Sequence, residues 1–358
     1  VTDQLKNITA TFRPALIFLL IIIFCPLKTY SQESDNCAEN LRTAQLLFDR
    51  GQVEKVPLIL AGCMRSGFRR EEQIEAYKLL IQSHLLEDEY DRADSVMLSF
   101  LKKYPEYQLS QTDHQSFASL YNSFIVKPLF KLGFHIGTNI PFLTFVDENY
   151  ISPETESSSY STEFLNLFTS LELKIPVTGK LDACVEAAWL QTKFTNREKF
   201  LGFETVYTER SERLEIPVTA IFPIAKYGRN FTAFVRAGAG AALNLKVVAK
   251  AVTTGTDSNN RIIVSGADLD VSGSRIFSDF FLVAGAGIKY KTPGGYISFE
   301  SRLETGLRNQ TVYTGSSESR ELACKYSFSD DDFRLNNVNF TLGYTHIFYK
   351  PEKRKQAK

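Results

Sequence analysis

The stretch "GYISFESRLETGL", Gly295 to Leu307, constrains the fold more than any other. Ile297, Phe299, Leu303 and Leu307 share one parity, while Ser298, Glu300, Arg302 and Glu304 occupy the other. A repeat of two is a β-strand with unlike faces. In a soluble sandwich the apolar face packs inward and the charges meet water. In a membrane barrel the faces exchange: apolar side chains meet lipid and charges line the interior.

Seven further segments show the same alternation, giving expected strands at about 130–145, 162–177, 180–196, 204–224, 230–252, 276–291, 295–313 and 333–349. Most exceed the five or six residues usual in soluble sheets. Three connections are tight, "VTGK", "KYGRN" and "KTPGG", and rich in turn residues. The others are longer and polar, as in "DENYISPETESSSYS", "TTGTDSNNRIIVSGADLDVSGS" and "TGSSESRELACKYSFSDDD". Short turns at one rim and long loops at the other are the outer-membrane barrel pattern, and an even strand count leaves both chain ends in the periplasm.

The charged faces point the same way. Lys131, Glu172, Lys174, Glu186, Glu215, Arg236, Asp279 and Lys289 join Glu300, Arg302 and Glu304 on the minority faces, in similar numbers of each sign. An eight-stranded barrel is filled by side chains, so these eleven are expected to form a balanced charge network in the lumen. Opposite them run Leu132, Phe134 and Ile136, then Leu171, Leu173 and Ile175. Phe222, Tyr227, Tyr290, Tyr296, Tyr344, Phe348 and Tyr349 gather near the tight turns as an interfacial girdle would. "FVRAGAGAALNL" and "FFLVAGAGIKY" place Gly238, Gly240, Gly285 and Gly287 on the lumen side of expected neighbours, where glycine relieves crowding. The soluble sandwich stays open as the alternative.

Before the strands the pattern changes. Lys6 and Arg13 precede the apolar run "ALIFLLIIIFCPL", and the small residues Thr29 and Ser31 place a cleavage site near Ser31/Gln32. Residues 1–31 therefore read as an export signal. From Asn36 to Phe124 apolar residues recur at helical spacing. Two helix pairs result, the second resembling a tetratricopeptide repeat through Tyr90, Ala93 and Pro105. Cys37 and Cys63 lie fourteen and twelve residues from the turn at Gly51, so they reach the same end of an antiparallel hairpin. A disulfide between them is expected in an oxidising compartment, two buried thiols being the alternative. The helical domain serves either as a protein-docking surface or as a plug under the barrel.

The export signal, "KLGFHIGTN" and "RLEIPVTAIF" together resemble the outer-membrane β-barrel domain proteins of Bacteroidota, often called PorT-like, over roughly Phe130 to Lys350. That resemblance implies an outer-membrane location and an eight-stranded barrel. Some members are linked to secretion and gliding. The helical front end departs from the simplest of them.

Charges of the two signs are equal in number, which implies no nucleic-acid partner. Of the histidines, His84 and His114 fall in the helical region, while His135 and His346 lie at the turn-side ends of the first and last strands, one inside and one outside. No catalytic triad is expected at the outer rim, and no cofactor or metal. Asp330 to Asp332, with Asp268 and Asp270, read as solvated loop charge, Cys184 as lumen packing and Cys324 as part of an outer loop.

The expected architecture is α+β with two domains. A signal peptide, 1–31, precedes a small periplasmic tetratricopeptide-like domain, 32–125. An eight-stranded antiparallel transmembrane barrel, 126–350, and a basic tail, 351–358, follow. The expected function is non-enzymatic: a barrel in outer-membrane lipid anchors a helical domain that docks another envelope protein. An adhesin or ligand receptor working through the outer loops is the alternative.

Overall fold

The computed structural model describes residues 33–65, 67–147, 155–200, 202–257, 260–312, 317–326 and 328–354. The export signal lies outside them. Contacts divide the chain into two units, one containing residues up to Ile125 together with Glu352 onward, the other Val126–Pro351.

In the helical unit, α1 (Glu33–Asp49) turns at Gly51, whose φ of +76° suits glycine, into the short α2 (Val56–Leu60). A second pair follows, α3 (Arg70–Leu86) and α4 (Tyr90–Lys103), and then α5 (Gln115–Asn122). The Glu72 carboxylate accepts from the Arg69 N–H at 2.9 Å, satisfying one orphan donor where α3 begins. Ala44, Val56, Leu60, Ala76, Leu79 and Leu80 form the core between the pairs. A disulfide joins Cys37 to Cys63 across the first pair. Phe100 and Phe117, both fully buried, pack with Tyr104 and Tyr107 into an aromatic cluster at the other end. The end of the chain returns to this unit, where Lys353 pairs with Asp94 and the Arg354 N–H donates to the Ser123 carbonyl at 2.7 Å.

Asp113 ties α3 to the segment leading into α5. Its carboxylate receives Lys78 Nζ at 2.7 Å, the Tyr107 hydroxyl at 2.6 Å and the Ser110 N–H at 2.8 Å. Burial acts to raise this carboxyl, but the hydrogen bonds from Lys78, Tyr107 and Ser110 outweigh it and hold it below its free value of 3.8. A depressed carboxyl stabilises the fold above that free value and loses the contribution as pH falls through the folded one. The helical unit of Asp113→Asn is therefore expected to unfold at a lower temperature than wild type at pH 7, with a smaller gap at pH 3. Thermal scans of the two full-length proteins at both values check this.

The second unit is antiparallel sheet. Its strands are β1 (Phe124–Asp147), β2 (Thr155–Thr162), β3 (Asn166–Thr178), β4 (Leu181–Phe200), β5 (Phe203–Tyr227), β6 (Phe231–Asp257), β7 (Asn260–Ser265), β8 (Leu269–Asp270), β9 (Ser278–Thr292), β10 (Gly295–Gly306) and β11 (Asp332–Lys353). Eight of them pair in a ring, β1–β3–β4–β5–β6–β9–β10–β11 and back to β1. The pieces β2, β7 and β8 extend the sheet at the loop rim by pairing with β4 and β6. Among the described residues no helix is long and apolar enough to cross a membrane.

Several boundaries differ from the sequence expectation. β4 and β5 continue into one long hairpin in place of the expected loop, because polar Thr, Glu, Arg and Lys there keep strict alternation and pair to Phe200↔Phe203. The strand expected over 295–313 ends at Gly306, since Gly306 has the Leu335 carbonyl 2.5 Å from where a Cβ would stand and the ladder closes there. The third long loop contains a helix, α6 (Ser317–Tyr326), and β11 runs to Lys353 rather than stopping at 349.

Which face looks inward is plain from exposure. Leu171 is 64% exposed and its neighbour Glu172 2%. Phe299 is 48% exposed and Glu300 1%. The same alternation exposes Leu132, Phe134, Ile136, Val218 and Leu342 on the outside of the ring. Of the expected girdle, Phe222, Tyr227, Tyr290, Tyr344 and Phe348 are exposed. Tyr296 is not. It falls on the even parity of β10, and its hydroxyl accepts from Lys174 Nζ inside the ring at 3.0 Å.

Candidate functional site

The ring's interior changes character from the turn rim to the loop rim. Nearest the turns, Lys131 pairs with Asp182 at 2.6 Å, and the Lys289 ammonium lies over Phe234 and Tyr296. These two lysines are only partly buried.

One level further in, three carboxylates converge on one guanidinium. Arg236 reaches Glu172 and Glu186 at 2.9 Å each and Glu300 at 2.8 Å. Arg302 shares Glu186 at 2.8 Å and Glu300 at 3.1 Å. Glu172 and Glu186 are direct cross-strand partners, a like-charge pairing that Arg236 holds together. Glu172 also takes Lys174, and His135 Nε2 lies 3.0 Å from its Oε1.

Room for these side chains comes from glycines on the facing strands. Gly285 is the cross-strand partner of both Arg236 and Arg302. At Gly343 a Cβ would stand 1.7 Å from His135 Cδ2. Gly343→Ala is thus expected to drive His135 off Glu172 and to destabilise the barrel by about 1–3 kcal/mol. Urea titration of the heat-modifiable folded band is the check.

The third level joins Arg213 to Glu215 and Asp279, each at 3.7 Å. Glu215 and Glu304 are both deeply buried at this level. Across these levels six deeply buried carboxylates, Glu172, Glu186, Glu215, Asp279, Glu300 and Glu304, face four deeply buried cations, Lys174, Arg213, Arg236 and Arg302.

At the loop rim the interior turns apolar. Phe194, Tyr207, Val247, Tyr326, Phe328 and Phe333 belong to one buried cluster, and Tyr207 stacks on Phe328 with ring centres 4.1 Å apart. Leu322 and Tyr326 bring α6 into it. Arg275 is the cation of this region, gripping Asp330 at 2.8 and 2.9 Å and Glu209 at 3.1 Å. Asp331 accepts from the Tyr160 hydroxyl, which in turn accepts from Asn196 at 2.8 Å. The sequence expectation of solvated loop charge fails at Asp330 and Asp331. They are structural acceptors, because the loop folds back over the ring.

Alternation along single strands picks out the eleven charges of the lower levels. It misses Arg213 and Arg275, although Arg213 has the parity of Glu215. It also misses Asp182 and Glu209. Cys184 is buried within hydrogen-bond range of Glu172, Cys324 is exposed, and neither forms a disulfide. His135 is buried and His346 exposed. The group Glu172, Cys184 and Glu186 has metal-like spacing, but the Arg236 guanidinium already occupies the space between them.

No protein-family model matches the chain, and no curated protein matches it. Solved structures do. They include the outer membrane protease OmpT from Escherichia coli, 9% identical, with 61% of this chain and 96% of that one covered at a TM-score of 0.33. Outer membrane protein AlkL is 11% identical, covering 64% and 94%, at 0.31. Neisserial surface protein A is 8% identical, covering 61% and 97%, at 0.29. The ring described above has the architecture of an outer-membrane β-barrel. The expectation that the chain is no enzyme is corrected here. A protease stands among the structures it resembles.

Proposed function

We propose that this is an outer-membrane protein whose barrel anchors a periplasmic helical domain, and that the domain docks another protein of the envelope. The carrying observation is the inverted ring, with Leu171, Ile175, Val218, Phe299 and Leu342 exposed outside and ion-paired charge within. Such a surface is at home in lipid and costly in water. The helical unit supports the second half of the reading, because it has its own core and its own disulfide and takes up the chain on both sides of the barrel. A tetratricopeptide-like character of its second pair, and the PorT-like resemblance with its link to secretion, give the partner its class. Export by residues 1–31 completes the proposal.

The test compares affinity purification of full-length protein from native outer membranes with a variant lacking 36–124 but keeping the export signal. A partner recovered only with the full-length form supports docking. Equal recovery with both forms overturns it. A second reading, a receptor or adhesin acting through the loops, is favoured by the ordered loop rim, where β2, β7 and α6 pack on one apolar cluster. That reading gains if the shortened variant keeps full function.

A further inference from the structure

Above the apolar belt the outside of the ring is not uniform. On β4 the outward positions pass from Val185, Ala187 and Trp189 to Gln191 and Lys193. On β5 they pass from Ile216 and Leu214 to Glu212 and Arg210, and on β6 from Leu243 and Leu245 to Lys246 and Lys250. The corresponding stretch of β1, Thr138, Ile140, Phe142, Thr144 and Val146, carries no charge. Lys193, Arg210, Lys246 and Lys250, on three neighbouring strands, line a concavity of about 580 Å³.

Register brings these cations together. Lys193 stands directly opposite Arg210, a like-charge pair that costs stability unless an anion offsets it. Lys250 is diagonal to Arg210, since Arg210 pairs with Val248 two positions earlier on β6. The carboxylates nearby are committed in part. Glu163 pairs with Lys193, and Glu212 faces Lys246 across the strands. Asp270 is held by the Ser272 N–H and is attracted by Lys246, and Asp268 completes the rim. Arg210 and Lys250 form no ion pair among the described residues.

We propose that this concavity is a binding site for the phosphorylated sugar headgroup of an outer-leaflet glycolipid. The site rests on the membrane reading above, because its height is set by the belt: the cations begin one to two outward positions beyond Trp189, Leu214 and Leu245, where lipid headgroups lie. Arg210 and Lys250 supply the anion contacts, with Lys193 as the third corner. Glu212, Asp268 and Asp270 accept from sugar hydroxyls. A lone phosphate fills only a fraction of the space.

The experiment uses full-length protein in phosphatidylcholine nanodiscs, with native mass spectrometry counting bound phosphorylated lipid A. Dephosphorylated lipid A, phosphatidylglycerol and inorganic phosphate are the comparison probes. Wild type is expected to hold phosphorylated lipid A at least about tenfold more tightly than the dephosphorylated form, from roughly a tenfold factor or less per cation near a lipid surface after discounting the adjacent acids. The triple variant Lys193→Gln, Arg210→Gln, Lys250→Gln loses that preference, while Lys226→Gln with Arg229→Gln, at the turn rim, keeps it. Equal binding of the two lipid A forms, or an unchanged preference in the triple variant, overturns the proposal. So does equal retention of phosphatidylglycerol, which would mean a diffuse anionic attraction, or displacement by millimolar inorganic phosphate. Heat-modifiable migration verifies that the triple variant is folded. Failure of wild type to enter the nanodiscs at all refutes the membrane reading instead, so the two failures are told apart.

Discussion

Replacing Arg236 with methionine is expected to lower the unfolding free energy of the barrel by about 3–5 kcal/mol, the range for breaking a buried ion pair from one side. The substitution leaves Glu172, Glu186 and Glu300 facing one another with their shared cation gone. Arg302 remains to serve Glu186 and Glu300, but among the cations Glu172 keeps only Lys174, with His135 beside it. Arg236→Lys restores the charge without the planar fork that spans three acceptors, so it should recover only part of the loss. The readout is the urea midpoint of the heat-modifiable band. A triple variant, Arg236→Met with Glu172→Gln and Glu186→Gln, separates charge from packing. If the loss is electrostatic, the triple variant unfolds closer to wild type than Arg236→Met does. An equal midpoint in wild type and Arg236→Met would remove the convergence as a source of stability.

The second large effect lies in the helical unit. Cys37 and Cys63 are separated by 26 residues, and opening a loop of that length is expected to cost about 3 kcal/mol through the unfolded chain's regained freedom. The unit needs this crosslink because α2 is a helix of five residues and the first pair has few large side chains to bury. Cys37→Ser with Cys63→Ser should make residues between α1 and α3 the first site of limited proteolysis. The barrel's heat-modifiable shift should stay as in wild type. Joint loss of both would mean that the two units do not unfold independently.

Much of this protein is legible along the chain. Alternation in β1, β3 and β10 assigns Ile and Phe to one face and Glu and Arg to the other, because a strand's side chains must point to opposite sides whatever surrounds them. Turn chemistry at Gly228 and Gly294, both at positive φ, marks the hairpins for the same local reason. Cysteine spacing brings Cys37 and Cys63 to one end of a helical hairpin from helix geometry alone. These are properties of a few neighbouring residues.

What tertiary structure decided is everything that needs strands far apart in sequence. Nothing near Arg236 says that Glu172, Glu186 and Glu300 will meet it, since those partners come from three other strands. Tyr296 reads as one more aromatic beside a turn until Lys174, 122 residues away, is seen to donate to it. The acidic run Asp330 to Asp332 looks solvated until Arg275 and Tyr160 are brought against it. Local sequence fixes the direction in which a side chain points. Ring closure fixes what it meets there, because pairing β11 with β1 converts eight independent faces into one interior whose charges have to balance.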